Sequence, residues 1–421
     1  MSELTTAAPP DDTPAASQAT GAARLADRTA ARRRIVPRPV TRYWEDDPPA
    51  RRLRGRPDLV TSYEHRLTML DTPAKRRALI ALVVVALTGV WWLPDQMLLE
   101  LATAFALGIG AIGLNVVTGY AGQVSLGHSF FMGLGAFTAA IIGGAASRPD
   151  LYALEIGELL VWLPAAGLVA AIAGALVAPL ALRLRGLYLA IVTLGLVFIG
   201  QYVFNQWAAV SGGEGVGRPA AKARILGLDF STSGEILGVQ LSANQRMFAL
   251  LLVLLVIAAV VAKNIVRSDV GRAFQAVRDR DQAAEVIGVD LTRTKVLAFT
   301  ISSFYGGVSG ALLYAIVGVV DPASFGLTLA VLLLAMVLIG GAGTIAGGII
   351  GALFITFLGT VSAALIERAH FLTDALSLDP SLLEAVLGGL ILILFLLFEP
   401  SGLFGMWQRA RTYWKGWPFT Y

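Results

Sequence analysis

The sequence predicts an all-α, polytopic membrane protein with about ten transmembrane helices. Three observations support this fold class: an apolar composition, ten apolar segments of near-spanning length, and an uneven distribution of basic residues. Hydrophobic residues make up 56% of the 421 residues and charged residues only 15%, whereas soluble domains contain about 25% charged residues. The mean hydropathy is +0.69, so the chain needs lipid as its solvent.

Residues 1–75 differ from the rest of the chain. They are rich in Ala, Pro, Arg and Asp and contain no long apolar run, which predicts a disordered cytoplasmic N-terminal extension. The first long apolar segment begins near Ala78, behind a basic triplet at 75–77. This is too late for a signal peptide and predicts a retained anchor. As an alternative to a solvated tail, the arginines between residues 32 and 56 can contact anionic membrane lipid.

A helix that spans the membrane needs about 20 apolar residues. Ten segments are candidates: 78–93, 98–118, 124–145, 159–182, 186–207, 246–265, 295–319, 325–343, 345–366 and 383–399. The first segment is short, and the glycine-rich stretch 340–351 is compatible with either a turn or a continuous helix.

The basic residues predict the orientation, because Lys and Arg near span ends are retained on the cytoplasmic side. With ten spans, both termini and the loop 266–294 fall on one side, together with 27 of the 33 basic residues. The opposite side, which includes the loop 209–245, keeps six: Arg148, Arg218, Lys222, Arg224, Arg246 and Arg368. We therefore expect both termini to be cytoplasmic.

Small residues recur at helical spacing inside the spans. Gly306 and Gly310 form one such set, and Gly343, Gly347 and Gly351 form another. Helices in lipid gain little from hydrophobic contact with each other, so faces of small residues let their backbones approach and pack. These glycines are predicted to be packing residues.

Composition and motifs exclude several classes of function. The net charge of +4 is too small to indicate nucleic acid, and the chain has no Cys. Gly108, Gly110 and Gly113 form a GxGxxG string, but inside an apolar span it lacks the strand and helix of a dinucleotide site. No P-loop and no GxSxG string occurs, and the histidines at 65, 128 and 370 are too far apart for a local metal-ligand pair. We expect no catalytic residue, no metal site and no cofactor.

The most informative polar segment runs from Lys263 to Lys295. Its middle, residues 271–288 (GRAFQAVRDRDQAAEVIG), predicts one short amphipathic helix whose apolar face, interrupted at Asp281, contains four side chains: Phe274, Val277, Ala284 and Ile287. Gly288 is predicted to end this helix and Thr292 to cap the next one. Such a helix fits a groove on a soluble partner, or it lies on the membrane surface.

The sequence resembles a known family at four places. Residues 282–288 (QAAEVIG) resemble the EAA loop of ABC importer permeases, which is Glu-Ala-Ala, three residues and Gly, with Gln282 at the Glu position. Residues 271–311 are similar to the M-type permease of branched-chain amino acid importers and of their urea and amide relatives. Residues 119–128 (GYAGQVSLGH), 185–188 (RGLY) and 398–403 (FEPSGL) match the same family. The resemblance covers about residues 78–405.

The resemblance implies an ABC importer permease fold over residues 76–405, with a cytoplasmic coupling loop at 266–294 and a cytoplasmic tail at 406–421. It implies a multi-pass protein of the bacterial inner membrane. Its partners would be a second related permease, two cytoplasmic ATPases and an extracytoplasmic solute-binding protein. The residues that would couple to the ATPases are Arg272, Phe274, Val277, Gln282, Ala283, Ala284 and Gly288.

Residues 119–128 place three glycines and three polar side chains in an apolar region. Broken helices at membrane depth occur where they line a cavity, which predicts that Gln123, Ser125 and His128, with Tyr188, lie beside the translocation path. A tight turn at the membrane surface is the alternative.

The leading alternative to an importer subunit is a stand-alone secondary transporter or channel. It would need an acidic residue deep in the bundle for its coupling ion. Four candidate acids all fall near predicted span ends: Glu100, Asp321, Glu384 and Glu399. The sequence leaves the substrate open between branched-chain amino acids and urea or short amides.

Overall fold

The computed structural model describes residues 73–145, 151–184, 186–213, 215–236, 239–368, 380–399 and 401–416. Almost all of the predicted N-terminal extension therefore lies outside the described residues, as do His65, Arg185 and His370.

The described residues are mostly helical, which confirms the predicted helical class. The helices, in chain order, are α1 (Pro73–Thr88), α2 (Asp95–Asn115), α3 (His128–Gly143), α4 (Leu159–Arg183), α5 (Leu187–Gln206), α6 (Ala208–Ser211), α7 (Ala243–Arg267), α8 (Asp269–Asp279), α9 (Asp281–Val286), α10 (Leu291–Val317), α11 (Leu327–Gly340), α12 (Ile345–Arg368), α13 (Pro380–Phe398) and α14 (Gly402–Gly416). Single 3₁₀ turns cover Gly89–Trp91 and Pro322–Phe325, and a π-helical turn covers Val116–Tyr120.

Each of the ten predicted segments contains a helix, but the predicted count of ten spans is not confirmed. Among the described residues, six helices are long and apolar enough to cross a membrane: Asp95–Tyr120, Leu159–Leu180, Leu187–Gln206, Ala243–Arg267, Leu291–Val317 and Ile345–Ile366. A seventh is added if Val386–Phe398 and Gly402–Trp414, bent by 43°, form one span. At about 1.5 Å per residue, α3 and α11 are about 24 Å and 21 Å long, shorter than the bilayer core of about 30 Å.

The predicted start of the third span at residue 124 is wrong. The backbone from 122 to 127 is not helical, and α3 begins at His128. Gly122 has φ +69 there, a conformation that favours glycine.

Helix α10 lies at the centre of the described bundle and packs against α2, α3 and α4. Its glycines allow the close approach that their spacing predicts. A Cβ at Gly310 would overlap the backbone carbonyl of Met132 in α3, and one at Gly306 would lie 3.1 Å from the ring of His128. The crossing of α10 and α3 is therefore too close for side chains at these glycines.

The glycine-rich stretch 340–351 contains a turn. Gly341 and Gly343 have φ +115 and +80, and α12 starts two residues later at Ile345. We call residues 341–344 the glycine turn. Gly343 therefore precedes the helix, and the expectation that it shares a helical face with Gly347 and Gly351 is wrong.

Short strand pairs add a small β component to the predicted all-α fold. The strands are β1 (Arg218–Pro219), β2 (Arg224–Ile225), β3 (Leu228–Asp229), β4 (Gly234–Ile236), β5 (Val239–Leu241) and β6 (Val319–Val320), and they pair as β1–β6, β2–β3 and β4–β5, all antiparallel. Arg218 is fully buried, and its guanidinium donates to three backbone carbonyls, those of Ala140, Tyr152 and Val210. The hydrogen bond to Ala140 connects strand β1 to the end of α3.

Candidate functional site

The predicted docking helix is two helices in the structure. Helix α8 ends at Asp279, Arg280 is extended (φ −157, ψ 110), and α9 begins at Asp281. We call residues 269–288 the coupling segment. The single helix predicted over 271–288 is therefore wrong. Asp281, which interrupts the predicted apolar face, is the first residue of α9, and its carboxylate accepts a hydrogen bond from the buried Lys295 ammonium of α10 at 2.9 Å.

The coupling segment has a buried side and an exposed side. The side chains of Phe274, Val277 and Ala284 are buried, and α8 packs against α7, α10 and the π turn. The other predicted coupling residues lie on the exposed side: Arg272, Gln282, Ala283 and Gly288.

The tip of α9 carries two exposed apolar side chains. Val286 is 87% exposed and Ile287 is 75% exposed. Ile287 was expected on the apolar face with Phe274, and that assignment is wrong because the break at Arg280 resets the helical phase. Exposed aliphatic side chains on a polar segment are a feature of docking surfaces.

Gly288 ends α9 as predicted. Its φ is +90, and its N–H donates to the Glu285 carbonyl at 2.9 Å. The predicted cap at Thr292 is wrong: α10 begins at Leu291, and the carboxylate of Asp290 accepts a hydrogen bond from the Arg293 N–H at 3.0 Å.

Between α2 and α3 the chain passes through the π turn and then the non-helical residues 121–127. We call residues 116–127 the glycine break. The side chain of Asn115, at the end of α2, fixes its position. The Asn115 amide donates to the Thr344 carbonyl at 2.6 Å and accepts from the Gly343 N–H at 2.8 Å. The glycine break is thereby attached to the glycine turn.

Arg278 of α8 connects the coupling segment to the glycine break. Its guanidinium donates to the Gly119 carbonyl at 2.7 Å. A Cβ at Gly122 would lie 3.0 Å from the Arg278 side chain, and one at Gly343 would lie 2.8 Å from its guanidinium. One side chain therefore contacts the glycine break and lies against the glycine turn.

The four predicted path residues differ in exposure. Gln123, Ser125 and His128 are buried in or beside the glycine break, whereas Tyr188 is 72% exposed near the start of α5. Ser125 accepts a hydrogen bond from the Gly127 N–H at 3.3 Å. His128 lies against Gly306 of α10. Among the described residues, the Gln123 amide has no hydrogen-bond partner through either its oxygen or its nitrogen.

A cleft of about 570 Å³ is lined by residues of both the glycine break and the coupling segment. Its walls come from residues 121–123, from the α4–α5 connection between 184 and 189, from 277–283, and from Lys295. Charged residues of both signs, at 278–281 and 295, are among them.

Three residues of this site were not predicted. Asn115 and Arg278 hold the glycine break, and the Thr193 hydroxyl of α5 accepts a hydrogen bond from the Leu126 N–H at 2.9 Å. Asn115 had a signal in the sequence, because a polar side chain within an apolar segment is costly unless it is paired.

Comparisons with known proteins agree with this architecture. The family model described as "Branched-chain amino acid transport system / permease component" matches residues 96–396. The high-affinity branched-chain amino acid transport system permease protein LivM of Salmonella typhimurium strain LT2 is 33% identical over 350 residues, covering 80% of this chain and 76% of LivM. LivM of Escherichia coli K12 is 32% identical over 350 residues, with the same coverage of both chains.

A second type of permease is related more distantly. LivH, a high-affinity branched-chain amino acid transport system permease protein of Escherichia coli K12, is 24% identical over 304 residues, which are 70% of this chain and 90% of LivH. No solved structure matches the chain. The match over residues 96–396 and the identity to LivM show that this chain is a multi-pass membrane permease of the branched-chain amino acid transport system permease family.

Proposed function

We propose that this chain is one permease subunit of an ATP-driven importer for branched-chain amino acids, and that it forms the translocation path with a second related permease. The likeness to LivM supports the substrate class, and the weaker likeness to LivH supports a related second permease. Two ATPases and an extracytoplasmic solute-binding protein complete the proposed assembly, because no P-loop occurs in this sequence.

The coupling segment is the observation that carries this proposal. One side is anchored in the permease by Phe274, Val277 and Ala284, and the tip presents Val286 and Ile287 to solvent. A partner ATPase on the cytoplasmic side would receive this tip in an apolar groove. The predicted coupling residues that are exposed would flank the contact, and the buried ones would transmit its movement.

The proposed mechanism follows from the contacts of the segment. When the ATPases close on ATP, they move α9 and α8, and Arg278 transfers this movement to the glycine break through the Gly119 carbonyl. Asn115 passes it to the glycine turn. The helices then alternate access to the path by rigid-body movement. In the proposed path, Gln123, Ser125 and His128 lie close to the moving break, with Tyr188 at its cytoplasmic edge.

Uptake by cells tests the assignment. A strain that lacks this chain should lose high-affinity uptake of radiolabelled leucine, and the wild-type chain should restore it. Unlabelled isoleucine and valine should compete, whereas urea should not. Unchanged leucine uptake in the deletion strain, or competition by urea alone, would refute the proposed substrate class.

Co-purification tests the docking surface. The double substitution Val286→Ser with Ile287→Ser should reduce the ATPases that copurify with the tagged chain in mild detergent, and should leave its thermal stability unchanged because both side chains are exposed. The matched control is Leu226→Ser, which alters an exposed aliphatic residue in the loop on the opposite side. Equal ATPase recovery from both variants would contradict the docking assignment.

A further inference from the structure

A larger groove lies between α1 and the rest of the bundle. Its volume is about 1160 Å³, and its walls come from α1, α2, α7 and α12. Helix α1 packs against α7 and the 3₁₀ turn at Gly89–Trp91, and the Gln245 side chain of α7 donates to the Val90 carbonyl at 2.9 Å. The end of α1 is thereby attached to the start of α7. We call this space the α1 groove, and it follows α7 from Phe248 to Arg267.

The α1 groove is accessible and mostly apolar. On α1, Leu82 and Val85 line it and are 66% and 67% exposed. On α7, Val256 and Val260 line it and are half-buried. In a membrane these surfaces face acyl chains, and empty space between them would leave their side chains without contacts.

One end of the α1 groove is basic. Among the described residues that line it, the charged ones are Lys263 and Arg267, in the last turns of α7. Their spacing of four residues places them on one helix face, which continues through Val260 and Val256. Lys263 is exposed and Arg267 is half-buried, so a ligand in the groove can reach both. Because α7 is long and apolar enough to span a membrane, these two side chains lie at the level of the lipid headgroups.

The length of the groove fits an acyl chain. Its lining residues on α7 begin at Phe248, which precedes Lys263 by 15 residues. At about 1.5 Å per residue this is a rise of about 22 Å, whereas one leaflet is half of a bilayer core of about 30 Å. An acyl chain of one leaflet can therefore lie along the groove while its headgroup stays at the basic end.

We propose that the α1 groove binds one anionic phospholipid, with its acyl chains against the apolar walls and its phosphate at Lys263 and Arg267. An anionic headgroup is favoured over a zwitterionic one, because a zwitterionic headgroup would also bring its ammonium close to two cations. The groove reaches Thr344 of the glycine turn, so a bound lipid contacts both α1 and this turn and stabilises their arrangement. This site does not depend on which solute is transported.

Native mass spectrometry of the full chain, purified in detergent, tests the site without any transport. The chain is incubated with equimolar phosphatidylglycerol and phosphatidylcholine of the same chain length, with deuterated acyl chains in one of them to separate their masses. One phosphatidylglycerol molecule should be retained in preference to phosphatidylcholine. Excess glycerol phosphate, which has the phosphate but no acyl chain, should not displace it. Equal retention of the two lipids, or displacement by glycerol phosphate, would overturn the proposal.

Charge variants locate the headgroup. The double substitution Lys263→Gln with Arg267→Gln should lower the preference for phosphatidylglycerol by about fivefold for each charge removed. The matched control is Arg183→Gln with Arg293→Gln, which alters two exposed basic residues of α4 and α10 that do not line the groove. The control should keep the wild-type preference. An equal loss of preference in both double variants would assign the effect to general surface charge and overturn the proposal.

A second pair of variants locates the acyl chains. Val256→Trp fills the groove and should abolish retention of either lipid, whereas Val253→Trp alters a residue of the same helix that is 44% exposed outside the groove, and should not. Thermal unfolding without lipid shows that each variant is folded. Unchanged lipid retention in folded Val256→Trp, or wild-type lipid preference in Lys263→Gln with Arg267→Gln, would overturn the proposal.

Discussion

Replacing Arg278 by alanine is expected to disconnect the coupling segment from the glycine break. The substitution removes the hydrogen bond from the guanidinium to the Gly119 carbonyl at 2.7 Å. Hydrogen bonds to charged groups contribute about 1.5–3 kcal/mol, and the exposure of Arg278 places this one near the lower limit, since water can replace it. A loss of about 1.5 kcal/mol corresponds to about tenfold in an equilibrium constant.

The assay measures leucine uptake and ATP hydrolysis in the same proteoliposomes that contain the assembled importer. Arg278→Ala should lower the amount of leucine imported per ATP by about tenfold, because the ATPases still dock on the unchanged α9 tip. The amount of leucine imported per ATP by Arg278→Lys should lie between the values of the wild type and of Arg278→Ala, since Lys keeps the charge but lacks the planar guanidinium. The control is Arg293→Ala, which alters an exposed arginine of α10 outside the coupling segment.

Thermal unfolding is measured in parallel, and Arg278→Ala should unfold within a few degrees of the wild type. A wild-type ratio of leucine to ATP in Arg278→Ala would refute the transfer of movement through the Gly119 carbonyl. An equal loss in Arg293→Ala would show that general charge near the coupling segment, and not this contact, is responsible.

Three further predictions concern topology and packing. In intact cells, an impermeant thiol reagent should label Ser233→Cys but not Gln275→Cys, both exposed positions in a chain without native cysteine; the reverse pattern would contradict the orientation. Gly310→Ala should lower stability by about 1–3 kcal/mol through overlap with α3, whereas Gly195→Ala, with open space around it, should be neutral or slightly stabilising. Ala284→Asp should also lower the melting temperature, because this position is buried; an unchanged value would show that α9 does not pack as described.

The apolar helices could be predicted from the sequence because their signal is local. Ten segments of high hydropathy correspond to ten helices, with edges that differ by a few residues. The number that cross a membrane could not be predicted this way, since α3 and α11 are apolar but short. A few polar residues at the edge of an apolar segment shorten the helix but change the mean hydropathy of the whole segment little. The third predicted segment is an example, because it was expected to start at residue 124 and α3 starts at His128.

Side-chain partners that are distant in sequence explain the wrong predictions in the coupling segment. The periodicity of residues 271–288 is continuous apart from Asp281, and it does not reveal the ion pair of Asp281 with Lys295 in the next helix. Asp290 and Thr292 are both good capping residues, so the sequence alone does not decide which of them caps α10. The contact of Arg278 with Gly119 joins positions 159 residues apart, and no local pattern encodes it.

The glycines of the candidate site are of two kinds, and the difference indicates where the coupling segment can move. A Cβ at Gly119 would overlap the Asn115 side chain, and one at Gly402 would lie 2.8 Å from the Gly341 nitrogen, so the break, the glycine turn and the start of α14 are fixed by close backbone contact. Gly288 has a positive φ with no atom within 4 Å of its Cβ position. Packed cores transmit displacement because they are not continuously deformable. We therefore expect α9 to swing about Gly288 while the packed glycines move as one body, so that a substitution at Gly119 alters folding and one at Gly288 alters coupling.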